Sequence, residues 1–298
     1  MSMELQELNE AGLHLAQSFS SPALDLVFSA LTVLGNPVFW VFVAALVFWK
    51  GEEKESFFLM NMVVFATALV GVLKSFFAVP RPSPENFRVV ENLVTVSYGG
   101  NNYPDFAFPS GHTTTVTAAA VYLQKFEKKW LKEIFLAIVV AVAFSRMYLG
   151  QHFPLDVAGG LVLGVLVGNS NLLIQKRFEK SRFRLTKLRE ELALFGIIVA
   201  SVAAIALFEA PIVSLLVLGY YAGFLAFKIL GFDSTRLQGS ELLKKEALGS
   251  AGFLLLVGPA LILGEALTQL LLFLFAGLWI SLIFPAVYEK VLKKTPSK

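Results

Sequence analysis

Three short stretches of this sequence hold the groups that can do chemistry, and each lies at the edge of a long apolar run. KSFFAVPRP (74–82) supplies Lys74 and Arg81, PSGH (109–112) supplies Ser110, Gly111 and His112, and SRMYLGQHFPLD (145–156) supplies Arg146, His152 and Asp156. The chain has only three histidines, and two of them fall in these stretches. Cations invite an anion, and arginine forks match the paired oxygens of a phosphate. Ser110 follows Pro109 as a natural helix N-cap, which leaves the amides of Gly111 and His112 to face a negative group. Pro154 suits the first turn of a helix, so His152 stands just outside it and Asp156 one turn in. A carboxylate there can hold one imidazole nitrogen and leave the other as a nucleophile. His112, on another helix, can serve as acid and then as base. Phosphoryl transfer asks for such a set, because its transition state spreads negative charge that must be neutralised. No group of Asp, Glu or His has metal-ligand spacing, so neither a metal nor another cofactor is expected.

Each residue alone also has a plain structural reading. Lys74 can snorkel to an interface, PSGH can be an ordinary capped helix start, and His152 with Asp156 can be a structural hydrogen bond. The weight lies in the coincidence, because all three stretches fall at one side of the topology derived below.

The elements that must position these residues are helices in lipid. The chain has 298 residues, of which 56% are hydrophobic and 16% charged, with a mean hydropathy of +0.68. That composition belongs to a polytopic membrane protein. There is no cysteine, hence no disulfide framework and no thiolate site, and a net charge of +3 gives little support for a nucleic-acid partner. The N-terminus is acidic and lacks a basic leader, so no cleaved signal peptide is read there.

Apolar runs predict an all-α, polytopic transmembrane bundle of about nine spans, near 24–49, 56–79, 109–124, 131–149, 153–174, 192–208, 211–229, 249–265 and 267–288. Residues 1–23 precede them as an amphipathic helix lying in the interface, with Leu5, Leu8, Gly12, Leu15 and Phe19 on one face. Residues 24–175 form a five-span core, 176–191 a basic cytoplasmic linker, and 192–298 a four-span region without a motif. The basic loops KGEEKE, KFEKKWLK and KRFEKSRFRLTKLRE share one side with the C-terminal tail. This puts that side in the cytoplasm and the N-terminus and all three motif stretches outside.

The motif residues resemble the three-part signature of the type 2 phosphatidic acid phosphatase superfamily, which includes lipid phosphate phosphatases, glucose-6-phosphatase and vanadium haloperoxidases. The family pattern is Lys, six residues, Arg-Pro; Pro-Ser-Gly-His; and Ser-Arg, five residues, His, three residues, Asp. Here it is met by K-SFFAVP-RP, PSGH and SR-MYLGQ-H-FPL-D without a departure. The resemblance implies a metal-independent phosphatase with its site at the membrane surface, which the basic loops place on the non-cytoplasmic face of the cell membrane. It makes His152 the nucleophile that forms a phosphohistidine, with Asp156 orienting it and His112 protonating the leaving group. Lys74, Arg81, Ser110, Gly111 and Arg146 then bind the substrate phosphate.

The substrate expected is a lipid phosphate or a lipid (polyprenyl) diphosphate, with membrane lipids as surroundings. A soluble sugar phosphate is the second reading, and the loop 83–108 could cap either headgroup. Haloperoxidase chemistry and transfer to an acceptor other than water rank lower. A non-catalytic lipid binder is disfavoured because both histidines are present. A transporter is disfavoured because the charges sit at span ends and no repeat is visible. The last four spans could shape substrate entry, support a homo-oligomer, or simply pack, and packing is the default.

Overall fold

The computed structural model describes residues 3–90, 106–126, 128–180, 188–208, 211–232, 234–263 and 266–292, and among them it contains helices and no strand. The expected capping loop therefore lies largely outside the described residues, as does part of the basic linker. The helices are α1 (Met3–Gln17), α2 (Pro22–Thr32), α3 (Pro37–Trp49), α4 (Glu53–Phe77), α5 (Gly111–Leu123), α6 (Lys129–Tyr148) and α7 (Pro154–Lys180). After the linker come α8 (Leu188–Phe208), α9 (Pro211–Ile229), α10 (Gly239–Ile262), α11 (Ala266–Leu278) and, past a π turn at Trp279–Ile283, α12 (Phe284–Val287).

The all-α membrane bundle stands. Among the described residues, three helices can cross a membrane by length and composition, Glu53–Phe77, Pro154–Phe178 and Leu267–Lys290, and the bent pair α1–α2 adds a fourth if it forms one broken span. Helix α3 and the apolar parts of α8 and α9 are shorter. The run 24–49, expected as one span, is divided. A 3₁₀ turn at Val33–Gly35 ends α2, and Asn36 opens α3 by accepting the Val38 N–H at 2.9 Å, with Pro37 in the first position. An averaged hydropathy profile passes over this break, because Gly, Asn and Pro are few among many apolar neighbours.

Helix α5 lies tightly along α7, and the reason is a stripe of glycine on α7. A Cβ on Gly160 would come 2.7 Å from the Ser110 carbonyl oxygen, one on Gly164 2.7 Å from that of Thr114, and one on Gly168 2.8 Å from that of Ala118. Small residues four apart let helix backbones approach in lipid, where packing rather than hydrophobic burial drives association. Helix α1 rests on α6 and α7. It buries Asn9, Leu13 and Ala16 and turns Leu5, Leu8 and Leu15 outward.

The C-terminal helices share one apolar core with α3 and α4. Polar groups fasten the two together: Trp49 Nε1 donates to the Ile280 carbonyl at 3.0 Å, Ser56 and Tyr220 hydroxyls are 2.8 Å apart, and Tyr221 bonds to Asn61. In a dry interior such bonds satisfy groups that would otherwise be costly to bury.

Candidate active site

Four helix ends converge at the site, and their polarity matches the side chains they carry. Helices α4 and α6 finish there, with Lys74 and Arg146 in their last turns. Helices α5 and α7 begin there, with Ser110 as N-cap of the first and Asp156 in the first turn of the second. Cations at helix C-termini and a carboxylate at an N-terminus each complement the helix dipole. The chain leaves α4 through Ala78 in the left-handed region (φ 49). That conformation, costing on the order of 1–3 kcal/mol for a non-glycine residue, turns Val79–Arg81 back toward the site. The Ala107 N–H then donates to the Val79 carbonyl at 2.7 Å and brings the chain back to the start of α5.

The expected residues do come together. Ser110 N–H donates to the Asp156 carbonyl at 2.9 Å, which ties the start of α5 to the first turn of α7. The Ser110 hydroxyl does not cap an amide, as the sequence suggested it would. It accepts from Thr113 Oγ1 at 3.0 Å. Asp156 Oδ2 accepts the Phe153 N–H at 2.8 Å and lies 3.6 Å from His152 Nδ1. The latter contact is beyond hydrogen-bond distance, and the buried Nδ1 has no hydrogen-bond partner among the described residues. Asp156 Oδ2 thus stands on the Nδ1 side of the His152 ring.

Backbone bonds hold the loop that carries His152. The Arg146 carbonyl accepts from Gln151 N–H at 2.9 Å and from His152 N–H at 3.3 Å. Gly150 turns this loop at φ 71, and a Cβ there would lie 2.1 Å from the Arg88 carbonyl oxygen, so the segment after α4 presses directly on the turn. Arg81 Nη1 donates to the Gln151 carbonyl at 3.0 Å, and Arg146 Nη1 donates to Thr32 Oγ1 at 2.8 Å.

Electrostatics unite the site. The charges of Arg146, Arg81 and Lys74 all act on His112, and those of Arg81, Arg146 and Lys74 act on His152, which His112 also influences. Burial first, then these cations, hold the His152 imidazole well below its ordinary value, so it is neutral and its lone pair available. A cluster with this charge is suited in kind to a tetrahedral anion. Among the described residues no group of three or more His, Cys, Asp or Glu converges as a metal site.

Two contributors were not read from the sequence. Thr32 orients the Arg146 guanidinium, and Gly35 lets the 3₁₀ turn lie against His112, where a Cβ would stand 2.8 Å from the histidine Cβ. The signal available was Gly35-Asn36-Pro37, a break inside an apolar run.

Residues 55–180 match the model of the PAP2 superfamily, a stretch that contains every expected site residue. A dihydrosphingosine 1-phosphate phosphatase of Schizosaccharomyces pombe is 26% identical over 159 residues, which is 49% of this chain and 37% of its own length. An undecaprenyl-diphosphatase of Sulfolobus acidocaldarius is 34% identical over 136 residues, 45% of this chain and 62% of that protein. The chain therefore spans less than two thirds of either relative. The crystal structure of a transmembrane PAP2-type phosphatidylglycerolphosphate phosphatase from Bacillus subtilis shares 30% identity, with 61% of this chain and 90% of that one covered and a TM-score of 0.45.

Proposed function

Residues 55–180 belong to the PAP2 superfamily, and from that premise we propose that the protein is a metal-independent membrane phosphatase acting on a lipid phosphate or lipid diphosphate. The observation that carries this reading is the buried His152, with Asp156 at its Nδ1 and the charges of Arg81, Arg146, Lys74 and His112 around it.

The chemistry follows in two displacements. His152 Nε2 gives its lone pair to phosphorus, and the bond from phosphorus to the leaving oxygen breaks. His112 supplies the proton that this oxygen needs, and a phosphohistidine remains. Water then attacks the phosphorus, His112 takes its proton, and the P–N bond breaks to release phosphate and the free imidazole. Lys74, Arg81, Arg146 and the amides at Gly111 and His112 hold the phosphoryl oxygens throughout, and Ser110 sets the start of that helix. Asp156 favours the tautomer with Nδ1 protonated and supports the cation that forms on phosphorylation.

A lipid substrate is favoured because the site lies at helix ends in an apolar bundle, where an acyl or prenyl chain can stay beside the helices while the head is processed. The relatives' names also point to phosphates carried on lipids. The basic loops on the opposite side support a site on the non-cytoplasmic face, and residues 192–298 serve as a packing support for the core. Purified full chain in detergent, with chelator present, is expected to release phosphate from a long-chain lipid phosphate or polyprenyl diphosphate faster than from a sugar phosphate. The reverse ranking would move the function to soluble sugar phosphates. Because the chain lacks cysteine, Asn86→Cys gives a single label site beside the motif. Reaction with an impermeant reagent on intact cells is expected, and labelling only after permeabilisation would reverse the orientation.

A further inference from the structure

The start of α7 is held by two side-chain acceptors, and only one belongs to the signature. Asp156 Oδ2 takes the Phe153 N–H from within the helix. From outside it, Asn9 Oδ1 of α1 takes the Leu155 N–H at 3.1 Å. The first amides of a helix lack intrahelical partners, so an acceptor here satisfies a group that burial would otherwise leave orphaned. Asn9 is 4% exposed, whereas Leu8 beside it is 66% exposed and Leu15 72%. Helix α1 thus turns a polar residue inward and leucines outward, and the Leu155 amide gives the inward asparagine its reason. Gly12 allows the close seat, since a Cβ there would lie 2.7 Å from Pro154 Cγ. Both contacts, at Pro154 and Leu155, fall on the chain between His152 and Asp156.

We propose that Asn9 is a positioning residue: through the Leu155 amide it fixes the first turn of α7 and so sets how the Asp156 carboxylate meets His152. The catalytic consequence rests on the phosphatase reading above. That first turn also carries the carbonyl that accepts from Ser110, so a shift at Leu155 would be felt by both imidazole-bearing elements. Misplacement of about 1 Å remote from the reacting atoms can cost on the order of 10²-fold in rate.

The test uses the full chain in detergent with a long-chain lipid phosphate. Asn9→Ala is expected to lower kcat about 5- to 30-fold with KM within about twofold, as loss of positioning rather than of binding. Leu13→Ala, which removes a buried side chain of α1 but keeps the acceptor, is expected to lower the melting temperature and keep kcat within about twofold. Asn9→Asp is expected to restore kcat, because it restores an acceptor oxygen. It should also move the imidazole titration of His152 upward, since a carboxylate joins Asp156 against the cations Arg81, Arg146 and Lys74 and the neighbouring His112. With three histidines in the chain, that titration can be followed by side-chain nitrogen NMR without any turnover. Asn9→Ala at wild-type kcat would overturn the proposal, and so would activity loss that tracks melting temperature alone in all three variants. If the wild type releases no phosphate while His152 still responds to Asn9→Asp, the phosphatase reading falls and the positioning contact stands. Turnover with an unmoved His152 titration would overturn the positioning contact and leave the phosphatase reading standing.

Discussion

Lys125, at the connection between α5 and α6, and Arg146, at the far end of α6, are cations at opposite ends of the same helix pair, and they meet different partners. Lys125 pairs with Glu55, bonds Gln175 Oε1 at 3.1 Å and lies 3.9 Å over the Tyr122 ring. Glu55 in turn accepts from Tyr122 at 3.2 Å and from Gln175 at 3.0 Å. Arg146 instead donates to the neutral hydroxyl of Thr32, and its charge acts on two histidines. The first cluster answers its own charge with a carboxylate and so fastens α4, α5 and α7 together. The second gathers cations around imidazoles with Asp156 as their carboxylate, an arrangement suited to an incoming anion.

The largest effect that separates the two ends should come from His152→Ala. Phosphate release is expected to fall by about 10⁴-fold or more with little change in thermal unfolding, since the proposed mechanism makes this imidazole the nucleophile and its Nδ1 makes no hydrogen bond among the described residues. Lys125→Met should do the opposite, costing about 1–3 kcal/mol of stability by leaving Glu55 without its cation while the folded fraction keeps its kcat. Equal losses of activity in both would erase the distinction. Next in size is Arg146→Lys, expected to lower kcat/KM about 10²-fold because an ammonium cannot reproduce the fork held by Thr32. Full activity in this variant would mean that charge alone suffices there.

A comparison of the two halves gives a smaller effect. A Cβ on Gly219 of α9 would lie 2.2 Å from the Leu274 carbonyl oxygen. Gly219→Ala should therefore cost about 1–3 kcal/mol, read as a lower melting temperature, with kcat per folded molecule unchanged. Gly164→Ala in the stripe between α5 and α7 carries a similar cost, but there kcat should fall as well, because those helices bear His112 and Asp156. The smallest effect is in pH. On the proposed mechanism His152 reacts when neutral, and it is held below the ordinary imidazole value of about 6.5. A lowered pKa keeps the neutral form as pH falls, so the acid limb of kcat/KM should lie below that value. Arg81→Gln removes one of the cations responsible and should move the limb back up by less than about one pH unit.

Much of the site was legible because each motif sits at a helix end, and apolar runs reveal where helices end. Lys74, Ser110, Arg146 and Asp156 fall in the expected turns for that reason. The expectation that Ser110 would cap its helix gave the right position and the wrong partner, because Thr113 competes for the hydroxyl. Thr32 and Asn9 were not legible, since their roles arise from helices distant in sequence. The Gly160, Gly164 and Gly168 stripe was in plain view, yet its partner helix cannot be read from one helix alone. The division at Asn36 was hidden by averaging over a window far wider than the break.

The bond between Ala107 N–H and the Val79 carbonyl has a consequence for how such proteins can diversify. It sets Val79 and Ala107 side by side, two residues before Arg81 and three before Ser110. The Arg88 carbonyl against Gly150 and the Val90 N–H on the Leu149 carbonyl tie the first part of that stretch to the turn carrying His152, so sequence can be exchanged only between Val90 and Ala107 without disturbing the turn. On the proposed lipid-phosphate reading, a preference for one headgroup would then be transferable between relatives through that segment alone.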